Sequence, residues 1–104
     1  MISGLYDAPV PNIHSNAGGN TVKYPMYVTW FYLLNTKKYP ITSTLIHTMV
    51  PSDEKRVTQP KIAQCLKRLA QCGYFTRKQQ GRGYLYEPTG LFIREQRQYQ
   101  ETQQ

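Results

Sequence analysis

The second half of the chain contains the feature that most constrains the fold, a capped amphipathic helix followed directly by a hairpin. Apolar residues recur there at helical spacing and predict one buried stripe, formed by Ile62, Leu66 and Leu69. Thr58 can cap the start of this helix, and Gly73 stands where a left-handed residue commonly ends one. The sequence therefore predicts a helix over 58–72 with well-determined ends.

Residues 74–87 predict a β-hairpin directly after this helix. Tyrosine-rich, alternating segments lie on either side of a Gly81-Arg82-Gly83 turn, which is a typical hairpin pattern. Pro88 ends the second strand. A helix and a hairpin from one short segment predict an α+β domain that is mainly helical.

Two further helices are predicted upstream. Pro25 suits the first turn of a helix that places Trp30 in the core and ends before Pro40. Thr42 or Ser43 can cap a short second helix, whose buried stripe comprises Leu45, Ile46 and Met49. A polar turn over 51–57 follows, longer than the three or four residues usual between two such helices.

The chain of 104 residues supports one domain with two flanking segments. Residues 1–22 contain Pro, Gly and Asn at several positions and predict an irregular N-terminal arm. Residues 23–90 contain the folded domain. Residues 91–104 are rich in Gln and predict a polar C-terminal helix or tail.

Charge is concentrated in the predicted helix and hairpin. The net charge is +7, and the run from Lys55 to Tyr86 contains eight basic residues and no acidic one. Such a run indicates a polyanionic partner. No apolar run approaches the roughly 18 residues that a membrane helix needs, and two cysteines make no disulfide scaffold, so we expect no membrane partner and a cytoplasmic protein.

The order of helices and strands resembles the winged helix-turn-helix domain of ArsR-like and MarR-like transcription regulators. Leu66 and Leu69, then Gly73, then Tyr74 and Phe75 occupy the places of the Leu-x-x-Leu, Gly and apolar pair that end the recognition helix in those families. The basic hairpin of 77–86 resembles their wing. The resemblance implies a three-helix core, a hairpin wing and a C-terminal helix.

The resemblance also implies which side chains contact DNA. Glutamine can pair with adenine and lysine with guanine in the major groove, and a proline can pack on a thymine methyl, so the predicted base contacts are Gln59, Pro60, Lys61 and Gln64. The predicted contacts to the DNA backbone are Lys55, Arg56, Thr58, Lys67, Arg68, Arg77 and Lys78. Arg82 at the wing tip is expected to enter the adjacent minor groove.

These expectations define a sequence-specific regulator of transcription that binds double-stranded DNA as a homodimer on the nucleoid, more readily a repressor than an enzyme. The residues contain no catalytic arrangement and imply no cofactor. Three alternatives stay open: a plasmid or phage partition or replication accessory protein, an RNA- or ribosome-associated winged helix, and a protein-interaction winged helix.

The cysteines and histidines predict no chemistry of their own. Cys65 and Cys72 are seven residues apart on one helix, about 10 Å, which is too far for a disulfide. We expect both to be small, buried or half-buried side chains and leave a redox role open. His14 and His47 stand alone and predict no metal site, and we expect His47 to be partly buried.

Overall fold

Four helices and one hairpin make up the computed structural model, which describes residues 19–36 and 40–102. The elements in chain order are α1 (Gly19–Asn35), α2 (Ser43–Met49), α3 (Gln59–Gln71), β1 (Phe75–Gln80), β2 (Gly83–Pro88) and α4 (Gly90–Thr102). The fold is thus α+β and mainly helical, as predicted. Within the described residues, no helix is both long enough and apolar enough to cross a bilayer.

Helix α1 begins earlier than the sequence predicts. It starts at Gly19, so Pro25 lies inside the helix and not in its first turn, and residues 19–22 are helical where an irregular arm was expected. An internal proline removes one backbone hydrogen bond. Burial of the apolar residues that follow, among them Trp30 and Leu33, favours the continuous helix. The rest of the predicted arm, residues 1–18, lies outside the described residues.

The two helices that follow have the predicted bounds to within a residue. The Thr42 hydroxyl accepts a hydrogen bond from the backbone N–H of Leu45 at 3.0 Å and caps α2. Thr58 precedes α3 with extended backbone, but its side chain makes no capping hydrogen bond, which corrects the expected side-chain cap. Gly73 adopts a left-handed φ of +92° directly after α3, a conformation that strongly favours glycine.

The hairpin is joined to the segment between α1 and α2 by one isolated β-bridge. β1 pairs antiparallel with β2, with Arg77 opposite Tyr86, and Gly81 supplies a positive φ at the turn. Ile41, between α1 and α2, pairs with the other edge of β2 through two backbone hydrogen bonds to Tyr86, of 2.9 and 2.8 Å. Local sequence patterns do not predict this bridge.

An aromatic cluster joins α1 to the hairpin and to α4. The Trp30 ring packs edge-on against Tyr74 and Phe92, with centroids 5.4 and 5.2 Å apart, and Phe75 lies 4.6 Å from Phe92. Phe92 and Tyr99 of α4 are both buried. The predicted C-terminal helix therefore forms, but one face of it belongs to the core.

A polar contact also holds α4 against the end of α1. The Gln96 side-chain amide lies 3.2–3.3 Å from the carbonyl oxygens of Leu33, Leu34 and Thr36. The last carbonyls of a helix have no partner within it. Gln96 therefore supplies from α4 the donor that the C-terminus of α1 lacks.

Candidate nucleic-acid interface

One face of α3 is buried and the opposite face is exposed. Ile62, Cys65, Leu66 and Leu69 are buried, whereas Pro60, Gln64, Lys67 and Gln71 are exposed and lie on one side at helical spacing. Lys61 and Arg68 flank this exposed side and are half-buried. The buried stripe fixes the orientation of the helix, so the outer face presents a defined set of amide and cationic groups.

Gln59 differs from the other predicted base contacts. Its side-chain Nε2 donates a hydrogen bond to Thr44 Oγ1 on α2 at 2.9 Å. Both side chains are exposed, so this contact lies at the surface where α2 meets the start of α3. The structure thus places Gln59 beside α2, while Pro60 and Gln64 lie together on the outer face of α3.

Lys61 turns back toward the preceding turn. Its Nζ donates to the backbone carbonyl of Arg56 at 3.4 Å, a long and exposed hydrogen bond. Nearby, Lys55 and Thr58 are exposed at the start of α3. These three predicted contacts are therefore grouped at one end of the helix, and Lys67 and Arg68 lie further along it.

Arg56 has an acidic partner that a count of charges within 55–86 does not reveal. Its Nε lies 3.2 Å from Oε1 of Glu54, and its guanidinium lies 4.1 Å from the centroid of the Tyr24 ring on α1. The Tyr24 hydroxyl donates to the other Glu54 oxygen at 2.6 Å. The hydrogen bond from Tyr24 and the pairing with Arg56 hold the pKa of Glu54 below its ordinary value. Arg56 consequently contributes less net charge to this surface than the sequence indicates.

The two cations of β1 lie on opposite faces of the hairpin, because successive strand residues alternate. Arg77 shares a face with buried Phe75 and Tyr86, and its guanidinium lies 4.4 Å from the Tyr84 ring centroid. Lys78 is on the other face. Arg82 is exposed in the turn between the strands, where the prediction places the wing tip.

A shallow groove of about 700 Å³ lies between α2, the long turn and the start of α3. Its walls include His47, Thr48, Lys55, Thr58 and Gln59. His47 is exposed, so the expectation of partial burial is wrong. It follows Ile46, which faces the core, and the helix turns His47 away from that side.

The two cysteines have opposite environments. Cys65 is buried in the core, and burial raises the pKa of its thiol to about 11. Cys72 is exposed at the end of α3, which corrects the expectation that both are at least half-buried. Both are free thiols. Among the described residues, no three His, Cys, Asp or Glu side chains form a group suited to a metal ion.

Comparison of the chain with protein-family models, with curated proteins and with solved structures found no significant match.

Two residues of this surface were missed in the sequence analysis. Thr44 carried no signal, since a contact between two helices is not visible in local spacing. Gln71 lies seven residues after Gln64, so helical periodicity could have placed it on the same face.

Proposed function

We propose that this protein is a sequence-specific regulator of transcription that binds double-stranded DNA, with α3 in the major groove and the hairpin against the flanking backbone and minor groove. The observation that carries this proposal is the exposed face of α3, with Gln64 and Lys67 at its centre and Lys61 and Arg68 beside it. A helix of this kind fits the major groove. Glutamine and lysine there offer hydrogen bonds to base edges.

The neighbouring elements support the same proposal. Three helices precede a hairpin in the order expected of a winged helix, and Ile41 forms a β-bridge with Tyr86 at the hairpin's base. Arg82 lies in the turn of the hairpin, and Lys78 lies on one face of the hairpin. A cation at each of these places is suited to phosphate oxygens.

The charge distribution also favours a nucleic acid. Of the eight cations between Lys55 and Tyr86, Arg56 pairs with Glu54. Lys55, Lys67, Lys78 and Arg82 are exposed on α3, the preceding turn and the hairpin. Each cation that displaces counterions from DNA makes binding more dependent on salt.

The proposal extends to a homodimer on the nucleoid, which would match two half-sites. Among described residues, the large apolar side chains that are exposed are Tyr84, Leu91 and Ile93. Leu91 and Ile93 are two residues apart on α4 and therefore point to different sides. This argues against a continuous apolar dimer face on α4. Sedimentation with and without a duplex carrying two half-sites would measure the oligomeric state directly.

Selection of bound duplexes from a random library tests the proposed function. We expect one enriched sequence, bound far more tightly than a scrambled DNA duplex or the matching RNA duplex at equal salt. Gln64→Ala should cost about 1–3 kcal/mol on that sequence and relax the choice of one base. The matched control is Gln98→Ala, an exposed glutamine on α4, which should bind like the parent.

Three results would contradict the proposal or move it to an alternative. No enriched sequence, or equal binding of the RNA duplex, would reject sequence-specific DNA binding. An equal loss for Gln64→Ala on every duplex would remove α3 as the element that reads bases. Cooperative spreading over tandem sites would favour a partition protein over a regulator of single promoters.

A further inference from the structure

The hydrogen bond between Thr44 and Gln59 has a consequence for base recognition. A glutamine amide carries two N–H donors and a carbonyl oxygen. Thr44 Oγ1 accepts one of those N–H groups. One donor and the carbonyl oxygen are then left for a ligand, and both belong to an exposed side chain at the start of α3.

We propose that Thr44 is a positioning residue that orients Gln59 to read an adenine, an inference that rests on the proposed DNA binding. Adenine presents the N7 acceptor and the N6 amino donor side by side in the major groove. Glutamine matches this pair when its carbonyl oxygen and the adjacent N–H face the base together. The proposal assigns to Thr44 the N–H that lies away from the carbonyl oxygen, which leaves the matching edge of the amide free to face the base.

The physical advantage is pre-organisation. A free glutamine side chain loses rotamer freedom when it binds, and its terminal torsion is broad. A partner that holds the amide before binding reduces that loss and makes the presented edge definite. The bond also joins α2 to α3, so the same contact fixes the side chain relative to both helices.

The neighbouring α2 threonine provides a matched control. Thr48 is exposed one turn after Thr44, and its hydroxyl donates to the Leu45 carbonyl at 2.6 Å within α2. Thr48→Val removes a hydroxyl from the same helix and leaves the Gln59 contact in place. Any general effect of a valine on α2 should therefore occur in both variants.

The experiment uses the full chain and the duplex selected above. Gln59→Ala first identifies the position that Gln59 reads, as the base pair where the preference for adenine over the other bases collapses. The preference is measured as the dissociation constant of a duplex with another base at that position divided by that of the adenine duplex. We expect Thr44→Val to lower this ratio about threefold or more, whereas Thr44→Ser and Thr48→Val retain it. In a Gln59→Ala background, Thr44→Val should change the ratio no further. Thermal unfolding of each variant verifies that the fold is retained.

Two classes of result would overturn the inference. It fails if Gln59→Ala alters no adenine preference, if Thr48→Val acts like Thr44→Val, or if Thr44→Val acts equally without Gln59. In each case sequence-specific binding by the parent protein would survive, so only the role of Thr44 is lost. A parent protein with no preferred duplex would instead remove the proposed function together with this inference.

Discussion

Stability should fall as the pH rises from about 9 to about 11, and Cys65 should account for a measurable part of the fall. The Cys65 thiol is fully buried, and burial raises its pKa from the ordinary 9.0 to about 11. The neighbouring Thr29 hydroxyl and the positive charge of Arg68 lower the pKa of this thiol, but they offset the effect of burial only in part. The native protein therefore keeps a proton that the unfolded chain releases.

The sign and size follow from this difference. Between the two pKa values the unfolded state binds fewer protons, so the free energy of unfolding decreases as pH increases. The contribution of the protonated Cys65 thiol to the free energy of unfolding is fully present below the thiol's pKa in the unfolded chain. It is lost as the pH rises through the thiol's pKa in the native protein. A difference of two pKa units corresponds to about 3 kcal/mol.

Urea unfolding at several pH values between about 8 and 11, with a reductant to keep both thiols free, would measure how the free energy of unfolding depends on pH. Trp30 is the only tryptophan and reports the transition. Burial also raises the pKa of Tyr32, Tyr74 and Tyr86, so the parent and Cys65→Ala should share a loss at the alkaline end.

The difference between the two proteins isolates the thiol. The parent should lose about 2 kcal/mol more than Cys65→Ala by about pH 11, where the native thiol is half titrated, and Cys72→Ala should behave like the parent because that thiol is exposed. Parallel pH profiles for the parent and Cys65→Ala would refute the reasoning.

Four other outcomes are expected. Trp30→Ala should lower the free energy of unfolding in urea by about 3–5 kcal/mol, while Trp30→Phe should change it much less, because the loss of apolar contact is offset by removal of a buried indole N–H that has no partner. Gly73→Ala should cost about 1–2 kcal/mol in the same assay, since its φ is +92°. If α3 binds DNA as proposed, Lys67→Gln should make the plot of log DNA affinity against log salt less steep by about 0.9. Arg97→Gln on α4 should leave that steepness unchanged. A maleimide should label Cys72 well before the other thiol, as measured by mass spectrometry of the native protein.

The sequence was most informative where local chemistry determines structure. The stripe from Ile62 to Leu69 and the left-handed Gly73 located α3 closely, because helical spacing and a C-terminal glycine are local signals. The Gly81-Arg82-Gly83 turn located the hairpin for the same reason. The surface position of Gln64 followed from the position of the buried stripe.

Contacts between distant segments could not be predicted in this way. Ile41 joins the sheet through Tyr86, and neither residue carries a local signal for that pairing. The start of α1 at Gly19 was missed because its first residues lack an apolar pattern and Pro25 marked a later start. Phe92 and Tyr99, seven residues apart, did carry a helical signal, which the polar residues between them obscured.

The candidate site shows the same division. Exposure of Lys67 and Arg82 agreed with helical and hairpin spacing. Pairing of Arg56 with Glu54 and Tyr24 depends on the path of the turn after α2, and so does the position of Gln59 beside Thr44. A count of charges along the chain contains no information on which cations already have a partner.

The attachment of the hairpin at one end only implies a gradient of motion along it. Phe75 and Tyr86 are buried at its root, where Tyr86 lies opposite Arg77 on one side and exchanges two backbone hydrogen bonds with Ile41 on the other, whereas residues 79–84 are all exposed. Amide exchange should accordingly be slow near Tyr86 and quicken toward Gly81. If the hairpin binds DNA as proposed, a tip that moves more than its base would let Arg82 reach grooves of different width.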